Sequence, residues 1–212
     1  MRLLRTAFIV ILSAIFLPLC VSTPINYDTA QIPDGRAPLR VGVGAHGFKG
    51  SYTVCGSPYN YTGGTVRGDV QVGYGFKRVA EVGLQGGMAV GGYEERREDG
   101  TVSDRGGFVQ ADVYPYLKVG IPGESFRATL KVAAGGGLTT LGSGGAYPMA
   151  YADLLFGLGS PERLTFGLRL SPTDGLLAVG SLHFGLYVLS VMAGGDPGGQ
   201  GATLYVGLGL TR

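Results

Sequence analysis

The ten residues before the terminal arginine, Ala202-Thr203-Leu204-Tyr205-Val206-Gly207-Leu208-Gly209-Leu210-Thr211, alternate with a strict period of two. Leu204, Val206, Leu208 and Leu210 share one face of an extended strand, and Thr203, Tyr205, Gly207 and Gly209 share the other. A helix repeats every 3.6 residues and cannot sort these residues this way. One wall of the strand is apolar and the other is polar or bare, and the same pattern recurs upstream.

In the first such stretch Leu39, Val41, Val43 and Ala45 oppose Arg40, Gly42, Gly44 and His46. Further strands are predicted over Val66–Phe76, Val79–Gly92 and Gly107–Val119, then from Phe126, Ala150 and Leu164. The run Leu176–Met192 is apolar on both faces and is divided at Gly185 into two strands. The total is about ten strands, with eight as the alternative. Pro115 lies on an apolar face and cannot donate to a sheet ladder, which predicts a bulge or kink there. Connections after even-numbered strands are tight. Those after the first, third, fifth and ninth are longer: Gly47–Thr65, Tyr93–Arg105, Gly135–Ala146 and Gly194–Gly201. The seventh is followed by the short run Ser171-Pro172-Thr173-Asp174-Gly175.

Residues 1–22 read as a secretory leader, with Arg2 and Arg5 before an apolar core from Thr6 to Leu19 and cleavage expected after Ser22. The core is too short for a spanning helix. Removing the leader takes two arginines and no acid, so 17 basic residues become 15 against 15 acidic, and a neutral chain excludes the basic footprint of a nucleic-acid partner. Cys20 is a candidate for lipidation, but Leu19 stands where such motifs carry a small residue. With Cys55 the only other cysteine, no disulfide framework is expected. Residues 23–38 hold three prolines without periodicity and read as a periplasmic lead-in, followed by a barrel over residues 39–212. Forty glycines without a G-X-Y period and an apolar fraction of 45% exclude collagen and disorder.

The apolar face runs four or five residues deep on most strands, the depth a tilted strand needs to cross a bilayer, so it is assigned to the outside. Lipid tolerates no open sheet edge, which requires closure. Tyr74, Phe76, Phe156 and Phe184 fall near the tight-turn ends and are expected to form an interfacial girdle. The opposite faces bring inward Arg40, Lys118, Arg127, Lys131 and Arg169 against Asp69, Glu81, Asp112 and Asp153. Charges inside a narrow barrel need partners, so a mutually paired plug is expected, with passage of small ions between the pairs as the alternative. Ser181 and His183 share a face and, with Glu81, Asp112 or Asp153, could compose a hydrolase triad, but no catalytic role is assigned. His46 is expected to bond within a loop. No phosphate loop, cofactor motif or metal set is present in the sequence. Asn60-Tyr61-Thr62 matches a glycosylation acceptor by chance, and Glu94-Glu95-Arg96-Arg97-Glu98-Asp99 reads as a solvated loop tip, with an extracellular ligand as the functional alternative.

Alternating strands, leader and turn asymmetry together resemble the small outer-membrane β-barrel proteins, of eight to ten strands, of bacteria with two membranes. The resemblance covers residues 39–212 and rests on pattern without a sharp motif. It implies an antiparallel up-and-down transmembrane β-barrel, location in the outer membrane, and outer-membrane lipid and the barrel-assembly machinery as partners. The role it implies is structural, surface-interacting or that of a narrow channel. A lipid-modifying enzyme of the same membrane and a secreted soluble β-barrel or β-sandwich binding protein are the competing readings. Some small outer-membrane barrels remove acyl chains with a His-x-Ser pair, whereas this chain has Ser181-Leu182-His183. Members usually end on an aromatic residue, and this chain ends Leu210-Thr211-Arg212.

Overall fold

The computed structural model describes residues 23–54, 57–140, 144–195 and 201–212. The leader, both cysteines and the middle of the Gly194–Gly201 connection lie outside them. Among the described residues ten strands follow one another: β1 Leu39–Val54, β2 Ser57–Phe76, β3 Ala80–Arg97, β4 Val102–Ile121, β5 Phe126–Thr139, β6 Gly145–Leu158, β7 Leu164–Ser171, β8 Gly175–Phe184, β9 Tyr187–Gly195 and β10 Gly201–Thr211. Each is antiparallel to its chain neighbours, and β1 also pairs with β10, closing the sheet into a barrel. The seam runs from Arg40↔Thr211 to Gly50↔Gly201. Leu39 and Arg212 complete it by exchanging both backbone hydrogen bonds, at 3.0 and 2.9 Å. The unusual Thr211-Arg212 ending is thus part of the closing ladder.

The alternation decides which face is out. Among the described residues thirty-eight large apolar side chains are exposed, and all ten strands contribute to them. Buried positions on the same strands hold charges, glutamines, tyrosines and serines. A globular protein in water arranges these classes the other way round. Val66–Phe76 of β2 alone carries an apolar side chain outward at Val66, Val70, Val72, Tyr74 and Phe76. At about 3.4 Å per residue and a tilt of about 40°, that stretch covers roughly 26 Å along the barrel axis.

Three expectations are corrected. Gly47–Thr65, Tyr93–Arg105 and Gly135–Ala146 are largely strand: β1 and β2 continue to Val54 and Ser57, and β3 and β4 continue to Arg97 and Val102. These extensions lie past the apolar belt, where the outward face is mostly polar or glycine while the inward face still buries residues such as Phe48 and Tyr61, so no apolar-outward alternation marks them. Pro115 produces no register shift. Val113↔Gly136 and Tyr116↔Ala133 keep one register, and the ladder only lacks the two pairs between them. The one shift recorded in the long ladders is at Glu95/Arg96 of β3.

The third correction concerns residues 23–38. Instead of standing outside the barrel, residues 23–32 run through its lumen, with Thr23, Ile25, Asn26, Tyr27, Asp28, Ala30 and Ile32 buried. They enter from the end where β1 starts and the tight turns lie, here the turn end. Thr23 reaches Tyr205 and, through it, Asp174 of the β7–β8 turn at the opposite, loop end. A run without periodicity reads as a linker, but its residues bond side chains from several different strands, among them β2, β4, β7, β8, β9 and β10.

Lys77, Arg78 and Val79 join β2 to β3; the first two have φ of 49° and 61°, a left-handed conformation that side chains disfavour, and Val79 N donates to Phe76 O at 3.0 Å. A turn with both central residues left-handed favours Asn-Gly. Replacing Lys77-Arg78 by Asn-Gly is expected to stabilise the barrel by about 1 kcal/mol. The heat-modifiability midpoint on a cold-loaded gel reads this out, and an unchanged or lower midpoint contradicts it.

Candidate functional site in the lumen

The lumen is built from the inward faces of all ten strands and the threaded segment. Its centre is Asp28, fully buried. Arg40 Nε lies 3.1 Å from Asp28 Oδ1, Lys118 Nζ 2.9 Å from the same oxygen, and Lys131 Nζ 3.2 Å from Oδ2. Gln71 Nε2 donates to Oδ2 at 3.2 Å. Lys118 and Lys131 stand directly opposite each other on β4 and β5. Like charges in that position repel, and both are buried. Asp28 lies between them and relieves a conflict that the barrel wall alone contains.

Three further groups surround this centre. Arg40 forms a fork with Glu81, Nη1 to Oε1 at 2.8 Å and Nη2 to Oε2 at 3.3 Å, and Tyr116 Oη donates to Glu81 at 2.6 Å. Arg67 reaches Asp69 at 2.7 Å and holds Asp112 through both oxygens at 2.5 and 2.8 Å. Asp69 accepts in turn from Ile25 N at 3.2 Å. Arg169 grips Asp153 at 2.6 and 2.8 Å, donates to the Pro24 carbonyl and lies 4.2 Å from the Tyr151 ring centre. Planar forks of this kind fix orientation as well as charge.

Of the residues expected to face inward, Arg40, Asp69, Glu81, Asp112, Lys118, Lys131, Asp153 and Arg169 are all buried and take part in these pairs. Arg127 lies at the turn end instead, donating to the carbonyls of Gly159 and Glu124, each at 2.8 Å, with Glu162 at 4.0 Å. Sequence reasoning missed Arg67, Asp28, Glu162 and Asp174. Arg67 has the same parity as Asp69 and was readable. Asp28 was not, since nothing in its neighbourhood announces a luminal position.

Ser181 and His183 both face inward but engage different partners. Ser181 Oγ donates to the Asn26 carbonyl and to Ser190 Oγ at 3.3 and 3.1 Å. His183 Nε2 lies 2.8 Å from Thr165 Oγ1. His46 is luminal too, stacked on Tyr205 at 3.9 Å with Nε2 2.6 Å from Thr203 Oγ1. Among the described residues no cluster of histidine, cysteine and carboxylates of metal-binding size occurs.

The remaining space is closed by packing. Tyr114, Tyr116, Tyr147, Met149 and Tyr151 fill the β4–β6 side. On the opposite side the glycines of the seam leave a groove: a Cβ at Gly42, Gly44, Gly207 or Gly209 would meet Tyr27 or Ile25. A recess of about 700 Å³ opens at the turn end beside Ile32, Pro33, Arg78 and Arg127, and one of about 540 Å³ lies at the loop end beside Lys49, Tyr61 and Glu94. Asp28 lines neither.

No known family model matches the chain, and no curated protein matches it. Among solved structures, the translocator domain of the autotransporter NalP from Neisseria meningitidis is similar, at 13% identity over 94% of this chain and 92% of that one, with a TM-score of 0.35. A score at that level carries no inference about this chain.

Asp28→Ala would leave the Arg40, Lys118 and Lys131 cations without their shared anion. The expected loss is about 3–5 kcal/mol, the usual cost of breaking a buried ion pair. Thermal unfolding in detergent measures it, and a loss below about 1 kcal/mol contradicts the central role given to Asp28.

Proposed function

We propose that the protein is an integral outer-membrane β-barrel with an occluded lumen, whose role is structural and surface-interacting. The observation that carries this reading is the belt of exposed apolar side chains around all ten strands, which only a hydrocarbon surrounding makes favourable. Its edge at the turn end is marked by Tyr74, Phe76, Phe126, Phe166, Phe184 and Tyr187, all exposed, with Phe156 stacked between Phe126 and Phe166 at 6.0 and 5.5 Å. Aromatic rings favour the membrane interface. Such a girdle includes the four aromatics expected there and three more.

The long wall supports the surface role. β1–β4 have 16, 20, 18 and 20 residues, whereas β7 has 8, so one side of the barrel projects past the belt at the loop end. That projection is polar and tyrosine-rich. Tyr52 and Tyr59 stack at 5.4 Å, Tyr93 Oη donates to Asp104 at 2.7 Å, and Arg96 pairs with Glu94 at 2.6 Å. A rigid sheet carrying such groups suits contact with a partner outside the cell better than a mobile loop does. Short turns facing the periplasm and the longer end facing outward follow the orientation of this class.

Occupation of the lumen by residues 23–32 argues for a closed barrel over a narrow channel. Two measurements test the reading. The protein is expected in the outer-membrane fraction, released by detergent and not by salt or carbonate, and recovery as a soluble periplasmic protein sinks it. In planar bilayers the wild type is expected to show no steady conductance, while Gly42→Leu, which drives a side chain into Tyr27, is expected to introduce openings. Steady conductance of the wild type would instead favour the channel.

A further inference from the structure

Buried charge inside the lumen does not balance. Of the seven buried carboxylates, six have an arginine or lysine within ion-pair distance, and Asp174 alone among the described residues has none. Counting Arg127 with Glu162, six cations stand against seven anions. Asp174 is instead held by hydroxyls: Tyr205 Oη donates to Oδ1 at 2.8 Å and Thr173 Oγ1 to Oδ2 at 3.0 Å. His46 stacks on Tyr205, but its Nε2 is engaged by Thr203 and its Nδ1 has no partner, so it does not neutralise the carboxylate. An uncompensated anion at such depth is costly.

Next to Asp174 lies the residue that the sequence marks as the first of the exported chain. Thr23 is fully buried, its main-chain nitrogen 3.3 Å and its hydroxyl 3.1 Å from the same Tyr205 Oη that donates to Asp174. We propose that Thr23 is the mature N-terminus and that its α-ammonium is the missing counter-ion, seated against Asp174 and Tyr205 as the anchor of the luminal segment.

The covalent step is hydrolysis of the Ser22–Thr23 peptide bond by a leader peptidase. Water supplies the hydroxyl to the Ser22 carbonyl carbon and a proton to the Thr23 nitrogen, which takes up a second proton from solvent. One N–H donor becomes three on a unit positive charge, and seven cations then stand against seven anions. Because Thr23 is inaccessible in the folded barrel, cleavage precedes docking of the segment. A chain cut elsewhere would bring no charge to this position. The inference requires export but not lipid insertion: a soluble barrel beginning at Thr23 sinks the outer-membrane reading and leaves this one intact.

The test expresses the full chain with its leader in a bacterium with two membranes and purifies the folded protein. Intact mass is expected to match a chain starting at Thr23, and retention of the leader, another start site or lipid on Cys20 overturns the proposal. An N-terminus-selective aldehyde is expected to label the α-amine only after heat unfolding. Asp174→Asn is expected to lower the unfolding midpoint by ~5–15 °C and to make the amine reactive in the folded state. Inserting Gly-Gly after Ser22 displaces the charge, and in that background the effect of Asp174→Asn is expected to fall to less than half. An equal effect in both backgrounds overturns the ion pair. Should Asp174→Asn fail to fold, labelling of the wild type decides: a reactive amine in the folded barrel overturns the seat.

Discussion

Two lysines facing each other across neighbouring strands set the terms for the rest of the molecule. Lys118 and Lys131 are directly opposed on β4 and β5 and wholly shielded from water. The wall supplies Glu81 to one side, with Lys118 Nζ 3.9 Å from it, but nothing midway. The anion that bridges the two lysines is Asp28, which belongs to no strand. A buried pair of like charges is tolerable only with such a bridge. The threaded segment is therefore a component of the fold, and the barrel without it would carry an excess of positive charge at its centre.

Two walls of different character receive that segment. On the seam side β1 and β10 place glycines at 42, 44, 207 and 209, and the Tyr27 ring and Ile25 lie where side chains would otherwise stand. On the other side tyrosines fill the space, and Arg169 and Lys131 lie over their rings. The bare face of the last strand is a complement to one tyrosine. Its partners in the apolar cluster include Leu155, Leu177, Val179 and Met192, inward residues of β6, β8 and β9. Those residues explain why Leu176–Met192 reads as apolar on both faces: this part of the lumen wall packs against the segment's own apolar side chains.

Legibility followed the belt. Wherever a strand passes through it, one face must be apolar and the other must not, and the period of two appears in the sequence at full contrast, as in Val66–Phe76 and Leu204–Leu210. Parity then assigned Arg40, Asp69, Glu81 and the rest to the inside without knowledge of partners. Past the belt the outward face is no longer apolar and the contrast vanishes, so strand residues such as Tyr59 and Arg97 read as loop although they pair in register. Pairing partners were beyond reach for a different reason. Arg67 contacts a neighbour two residues away and another 45 residues away, a distance that only closure and shear set.

The luminal segment shows the limit most clearly. Periodicity reports a regular element with one environment per face, whereas residues 23–32 change environment at every step: Pro24 accepts from β7, Ile25 N donates to β2, the Asn26 carbonyl accepts from β8 and β9, and the Thr29 and Gln31 carbonyls accept from β4. An extended chain with no hydrogen-bonded strand beside it must find each backbone partner separately. Here side chains of the barrel provide them, among them Glu162, which accepts from Ala30 N at 2.8 Å. The polar residues that face inward thus do two jobs, balancing charge and satisfying a foreign backbone. A lumen built only to be filled could have used larger apolar side chains, while one built to hold a particular polypeptide needs donors and acceptors at fixed heights along the axis. That is the arrangement found, and it ties the identity of the inward residues to the ten luminal residues 23–32.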